Sequence, residues 1–307
     1  MSPATLFGVL AGGQLALVAL DLLDSHRHPE EIPGAGRLQP RIAAFLGGTI
    51  LVYGALQYAG LALAPTGAEL LAFAQGMFAP ADPTRLSVPL SPGLATLLGI
   101  CAFYAAGFWD YVVHRFVNHD RRLWFTHEYH HLPTRVTVYM PGICVRPLAV
   151  VAVLPATAAT IFTVCLALAA VGLAGIELTG VLHAVVLAQL TLLGTSHSSY
   201  LRRHGWIHRL LRPLGLTTPQ EHWLHHAPDL QGNFGNFTTL WDRVFGTYLD
   251  PRDPANRRSR AGLSYDQDFL GTLTFGRLKL SAWQREYFGL QRYCNLSIAR
   301  DGGADFA

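Results

Sequence analysis

Two short stretches carry most of the chemistry this chain can offer. HEYHH (127–131) and HWLHH (222–226) each place three histidines at the spacing His-x-x-His-His. Neutral imidazoles need hydrogen-bond partners and charged ones repel, so packing alone gives no reason to cluster them. Of the 14 histidines, eleven fall in the windows 114–131 and 197–226. The first window joins His114 and His119, an H-x4-H pair, to His127, His130 and His131. The second opens with His197, continues with His204 and His208 as H-x3-H, and closes with His222, His225 and His226. Helical positions i, i+3 and i+4 share one face, so each triplet is expected to aim its rings into one volume. His114 and His119 are about 140° apart on an ideal helix of ~3.6 residues per turn. Either the helix ends between them or a π-bulge brings them together.

These windows supply enough nitrogen ligands for two ions with four or five each. An imidazole-rich set with few carboxylates suits iron, zinc or copper rather than magnesium or calcium. Where O₂ is the reactant the relevant metal is iron, because two irons can reduce O₂ and generate an oxidant for unactivated C–H bonds. Several histidines have plainer readings. His183, alone in an apolar segment, reads as a packed polar residue, and His26 and His28 beside Glu30 and Glu31 read as surface residues. His204 and His208 are flanked by Arg202, Arg203, Arg209 and Arg212, which also fits a basic helix at lipid headgroups. HEYHH matches the zinc-protease pattern H-E-x-x-H as well, with His127 and His131 as ligands and Glu128 as base, but that leaves the second cluster unexplained. A non-catalytic haem- or metal-binding membrane protein is a third reading; bis-histidine haem, however, needs facing histidines inside spans.

The elements that must position these residues are apolar. Half of the 307 residues are hydrophobic and only 14% are charged, against about 25% in ordinary soluble domains. A membrane-crossing helix needs ~20 mostly apolar residues, and 4–23, 42–64 and 91–112 qualify. The run 147–196 is too long for one helix and reads as a hairpin, 147–172 and 176–196, turning around Gly172, Gly175 and Glu177. The fold class expected is therefore all-α, a polytopic membrane protein with about five spanning helices. Residues 113–146 and 197–250 form a helical cap carrying the histidines. Residues 1–250 make one integral membrane domain, and 251–307 a tail packing on the cap. With the histidines on the cytosolic side, only Arg85 of the 23 Lys and Arg residues falls outside, as the positive-inside rule requires. In TTPQEHWLHH, Thr218 is expected to cap a helix, with Pro219 in its first position and Glu221 completing a capping box. The N-terminus, without a charged n-region or a cleavage site, reads as a retained first helix.

Other chemistries find no support. No basic run interleaves with aromatics, so no nucleic-acid groove is expected. Cys101, Cys144, Cys165 and Cys294 are widely spaced and read as buried small apolar residues. No nicotinamide or flavin fingerprint appears, and no ferredoxin-like or cytochrome b5-like domain is fused. Electrons must come from a separate donor, and Arg202, Arg203, Arg209, Arg212, Arg257, Arg258 and Arg260 could dock an acidic one. The bias toward Arg (22, against the single Lys279), Ala and Gly suggests a high-GC bacterium and hence an inner membrane.

The order H-x4-H, H-x2-H-H, H-x2-H-H, with spans between the second and third motifs, resembles the fatty acid hydroxylase/sterol desaturase superfamily. The stretch LTTPQEHWLHHAPDLQGNFGNFTTLWDRVFGTYLDP is similar to that family's closing signature, with Thr-Pro before the last histidines and Trp-Asp-Arg-x-Phe-Gly-Thr after them. The resemblance covers about residues 100–250. It implies metal ligation by His114, His119, His127, His130, His131, His222, His225 and His226. His197 stands where the family has a further histidine, but Leu193 occupies the place of its H-x3-H partner, so His204 or His208 is left as a possible substitute. Asp110, Asp229, Asn233 and Asp242 are expected to orient ligand imidazoles. The superfamily implies two iron ions (zinc in isolated protein), O₂ as co-substrate, and electrons from a ferredoxin or cytochrome b5 type donor with its reductase. It implies hydroxylation, or desaturation, of a lipid, sterol or other hydrophobic substrate, with hydroxylation favoured by the compact Thr-Pro and W-D-R-x-F-G-T arrangement.

Overall fold

A computed structural model describes residues 3–28, 66–78, 90–120, 123, 127–131, 136–138, 149–174, 176–227, 231–256 and 261. Its named elements are all helical, with strand-like pairing confined to isolated bridges such as Leu216–Thr238. Helices α1 (Pro3–Arg27), α3 (Pro92–Val113), α5 (Ala149–Ala170) and α6 (Thr179–Ser196) occupy four of the predicted spans. The fifth, 42–64, lies outside the described residues. Three stretches, Pro92–Asn118, Val153–Ala170 and Thr179–Ser196, are long and apolar enough to cross a membrane.

Between the expected spans 42–64 and 91–112 lies a further helix, α2 (Gly67–Phe78). The Thr66 N–H donates to Glu69 Oε2 at 2.7 Å and the Glu69 N–H to Thr66 Oγ1 at 3.2 Å. T-G-A-E is thus a capping box that the sequence displays openly. Leu71 and Ala74 of α2 pack on Ile161, Cys165 and Leu168 of α5.

Helices α1 and α6 run parallel. Gln14 Nε2 donates to Leu190 O at 3.1 Å, and further along Asp21 and Asp24 receive Ser198 Oγ at 2.6 Å and Ser199 Oγ at 2.8 Å. The C-terminal ends of α1, α3 and α6 therefore gather at one end of the helical layer. The short elements continue from there: a π-helical turn (His114–Asn118), α4 (Glu128–His131), α7 (Ser199–Arg202), α8 (Gly205–Leu211), a 3-10 turn (Arg212–Leu214), α9 (Pro219–His225) and α10 (Leu240–Val244). Trp206, Leu210 and Leu214 are 55%, 60% and 57% exposed on this cap. Ala261, in the tail, is buried with Val136, Trp223 and Leu224.

One expectation changes. Cys165 is buried but Cys101 is exposed, on a membrane-length helix, while Cys144 and Cys294 lie outside the described residues. Of the arginines expected to dock an electron donor, Arg202, Arg203 and Arg212 have internal partners, while Arg257, Arg258 and Arg260 lie outside the described residues. Arg203 Nε bonds Asp24 Oδ1 at 2.6 Å, Arg212 Nη2 bonds Asp250 Oδ2 at 3.1 Å, and buried Arg202 lies 5.4 Å over the Trp223 ring. Of the four in 202–212, Arg209 alone is exposed.

Candidate metal centre

The nine histidines of the H-x4-H pair, the two triplets and position 197 converge in two groups. His114, His119, His127, His131 and His225 make the first; His130, His197, His222 and His226 make the second. Within each group one nitrogen from every ring lies within 4.8 Å of the others. All are buried except His119, which is partly exposed. His204 and His208 belong to neither. His204 Nδ1 donates to Tyr200 O at 2.8 Å, and His208 Nδ1 pairs with Thr218 Oγ1 at 3.0 Å.

The local folding explains the convergence. His114 and His119 meet because the end of α3 loosens into a π-helical turn, with the His119 N–H bonded to His114 O at 3.1 Å. Five residues then span one turn, which removes the 140° offset of an ideal α-helix. The triplets do not each fill one volume, as their spacing alone suggested. In HEYHH, His127 and His131 enter the first group and His130 the second. In HWLHH, His222 and His226 enter the second and His225 the first. The helical wheel accounts for this split: i and i+4 lie about 40° apart, and i+3 lies ~60° to the other side of i.

Ring orientation is fixed from outside the groups. His114 Nδ1 donates to Phe234 O, His225 Nδ1 to Gly232 O at 3.1 Å, and His197 Nδ1 to Leu193 O at 2.7 Å. Each bond fixes the tautomer, so the Nε2 lone pair points inward. Leu193 therefore acts through its backbone. Burial, then the neighbouring imidazoles, holds His131 and His222 well below the ordinary histidine pKa, in the neutral form that metals bind.

The carbonyls that hold His114 and His225 belong to loop 231–236, and the expected supporting residues act on that loop. Asp242 accepts the Phe234 N–H at 2.8 Å and the Gly235 N–H at 2.9 Å, and Asp110 accepts the Asn236 N–H and Nδ2, both at 2.9 Å. Asn233 sits at φ 52° and bonds Glu221 O and Leu249 O through Nδ2, both at 3.0 Å. None of the three donates to or accepts from an imidazole in these bonds; they hold the loop that does. Asp229 lies outside the described residues. Gly235 is required here, since a Cβ would lie 2.0 Å from Thr238 O. The W-D-R-x-F-G-T stretch fastens this loop to α3: Trp241 Nε1 donates to Tyr104 O at 2.9 Å, and Phe245 stacks on Tyr111 with centroids 5.4 Å apart.

Helix α9 carries the capping box as expected, Thr218 Oγ1 receiving the Glu221 N–H and Glu221 Oε2 the Thr218 N–H at 3.0 Å. Glu221 also accepts from Tyr248 at 2.8 Å and lies 3.5 Å from Arg243, while burial raises its pKa. Asp21 of α1, inside the expected span 4–23, is a supporting residue that the sequence reading missed. It is fully buried and accepts Ser198 Oγ, the Tyr200 N–H at 3.1 Å and the Val138 N–H at 2.8 Å. An acidic residue inside an apolar segment was the available signal.

The donor set fits metal ions. His114 and His127 face each other Nε2 to Nε2 at 2.9 Å, as do His131 and His127, and His222 and His197. Where both nitrogens turn a lone pair inward, as metal ligands do, they repel at this distance unless a cation lies between them. With metal–nitrogen bonds of about 2.1 Å, a 2.9 Å separation subtends roughly 90° at the ion, whereas tetrahedral ligands would stand about 3.4 Å apart. Five imidazoles in one group also depart from a zinc protease, which keeps three protein ligands and an open position. Rings in such contact leave no space for a porphyrin between them.

Fold and site thus define an all-helical protein with membrane-length helices and two histidine clusters able to hold metal. Residues 99–247, just under half of the chain, match the fatty acid hydroxylase family, of the fatty acid hydroxylase/sterol desaturase superfamily. No curated protein and no solved structure matches the chain. The family implies an oxygenase or hydroxylase enzyme, typically iron-dependent, acting on lipids.

Proposed function

We propose that the chain is a membrane diiron oxygenase that hydroxylates, or desaturates, a C–H bond of a hydrophobic substrate. The observation that carries this reading is the pair of buried imidazole groups at the joined ends of membrane-length helices, inside a hydroxylase-family segment. His114, His119, His127, His131 and His225 would hold one iron and His130, His197, His222 and His226 the other. When bound, the irons supply O₂ activation and removal of hydrogen from an unactivated carbon.

The protein's own part is placement. Loop carbonyls 232 and 234 and the end of α6 keep the ring lone pairs inward, and burial keeps the rings neutral. A cavity of about 200 Å³ between α3, α5 and α6 is lined by His114 and Asp110 on one side and Val153, Ile161 and Val185 on another. It would admit substrate from the bilayer and bring one carbon to the first group. We place the site on the cytosolic side of a bacterial inner membrane, from the arginine distribution, with residues 251–307 as a tail on the cap. Electrons come from a separate ferredoxin or cytochrome b5 type donor. Metal analysis of the purified protein with lipidomics of a deletion strain tests the reading. A lipid shifted by one oxygen or two hydrogens is expected; a lipidome with neither shift overturns it.

A further inference from the structure

The first helix carries two carboxylates that neither histidine group includes. Asp21 and Asp24 stand three residues apart on one face near the end of α1. Asp21 is fully buried and Asp24 is 2% exposed. Carboxylates buried at the end of an apolar helix are costly unless their oxygens find donors. The two find different ones. Asp24 pairs with Arg203 and accepts from Ser199 Oγ. Asp21 takes neutral donors: Ser198 Oγ and the Tyr200 N–H on Oδ1, and the Val138 N–H on Oδ2. An ionised carboxylate accepts on both sides, whereas an amide turns one of them into a donor.

These donors belong to the segments that carry the four-histidine group. Ser198 follows His197 directly. It caps α7 by accepting the Leu201 N–H at 3.2 Å, and its own N–H closes the turn onto Thr195 O at 3.1 Å. Asp21 Oδ1 thus holds the chain just after His197, while Leu193 O holds the His197 ring from within α6. Val138 lies seven residues past His131, and its near neighbour Val136 is buried against Trp223 and Leu224, between the histidines of HWLHH. One carboxylate therefore ties the turn after His197 to the segment packed on α9. His197 and His222, which face each other at 2.9 Å, stand on the two sides of that tie. The carbonyls behind the five-histidine group are held differently, by Asp110 and Asp242 acting on loop 231–236. Asp21 also lies well before the family-matched segment 99–247, so this support comes from outside it.

We propose, building on the metal-centre reading, that Asp21 is a positioning residue that sets His197 against His222 and so tunes metal retention by the four-histidine group. The test loads the full chain in nanodiscs with Co²⁺ and challenges it with EDTA, following the visible ligand-field bands of cobalt. His119→Ala and His130→Ala mark which bands belong to the five- and four-histidine groups. Asp21→Asn turns an amide N–H toward a backbone N–H in either orientation of its side chain. It should weaken cobalt retention by the four-histidine group about 10- to 100-fold and leave the other group near wild type. Ser198→Ala removes one of the three bonds and keeps both backbone donors on Asp21. Its loss should be about tenfold, at the same group, the low end for an outer-sphere partner. This variant decides the matter where Asp21→Asn fails to fold. Equal losses from both groups would reveal a merely structural carboxylate and overturn the proposal, as would unchanged retention in both variants or loss confined to the five-histidine group. Cobalt retention involves no turnover, which separates the two readings. Selective loss without any oxygenated or desaturated lipid product sinks only the oxygenase, and oxygenation with unchanged retention sinks only this inference.

Discussion

HEYHH and HWLHH share one spacing and distribute their histidines in opposite ways. The first sends its i and i+4 rings to the five-histidine group, and the second sends the same positions to the four-histidine group. Each i+3 ring crosses to the other group, so both triplets serve both groups. Their supports are unequal. HWLHH sits on a buried helix closed by a capping box and braced through Glu221 by Tyr248 and Arg243. HEYHH contributes to a helix of four residues, too short to hold its own turn without partners. The five-histidine group depends instead on a π turn and on loop carbonyls, while the four-histidine group depends on two helix ends. Equal motifs can thus be held by different means, and removing each support should injure a different group.

The largest effect should come from the rings themselves. His127→Ala removes the ring that touches both His114 and His131, and His222→Ala the ring that touches both His197 and His226. Each variant should lower turnover more than about 100-fold, beyond the usual range for outer-sphere changes. Elemental analysis should find about one iron lost per chain in each single variant and both in the double variant. Loss of both ions from either single variant would show that the groups form one unit, and the comparison would fail.

A smaller and more selective effect is expected from Asp242→Asn. Its amide would face the Phe234 or Gly235 N–H, donor against donor, and displace the carbonyls that hold His114 and His225. Turnover should drop 10- to 100-fold, with iron lost from the loop-held group first. Thr218→Ala strikes the opposite support. Loss of an N-cap costs about 1 kcal/mol, so melting temperature should fall while iron content stays near wild type. If Thr218→Ala releases iron and Asp242→Asn does not, the assignment of supports is reversed.

These supports also mark the limit of what the sequence discloses. The ligand rings, the capping box and the choice between a helix end and a π turn are all local, governed by spacing within five residues. The division of each triplet between groups follows from wheel geometry too, but only once two volumes are known to lie side by side. What holds the rings is non-local. Phe234 O, Gly232 O and Leu193 O act through backbone atoms, to which side-chain identity gives no clue. Asp21 reaches Val138 and Ser198 across more than one hundred positions, a contact that only the parallel packing of α1 and α6 creates. The partners of Arg203 and Arg212 are hidden for the same reason, since Asp24 and Asp250 approach them only in the folded structure.

The smallest effect distinguishes the helix-held support by its pH dependence. His208 bonds Thr218, the cap of α9, and burial lowers its pKa to about 4; Asp250 opposes that shift, and Arg212, Arg252 and Arg243 add to it. An unfolded chain takes up this proton near pH 6.5. Between about 6.5 and 4 the unfolded state therefore binds more protons than the folded one, and stability falls as pH drops through that window. Above it the contribution is fully present and flat. Apparent melting temperature at fixed scan rate should decline on acidification more steeply in wild type than in His208→Gln. The ligand histidines titrate in both proteins, so the difference between the two curves isolates His208. Parallel curves would show that the cap of α9 does not respond to protonation of His208, leaving the capping box itself as the whole of that support.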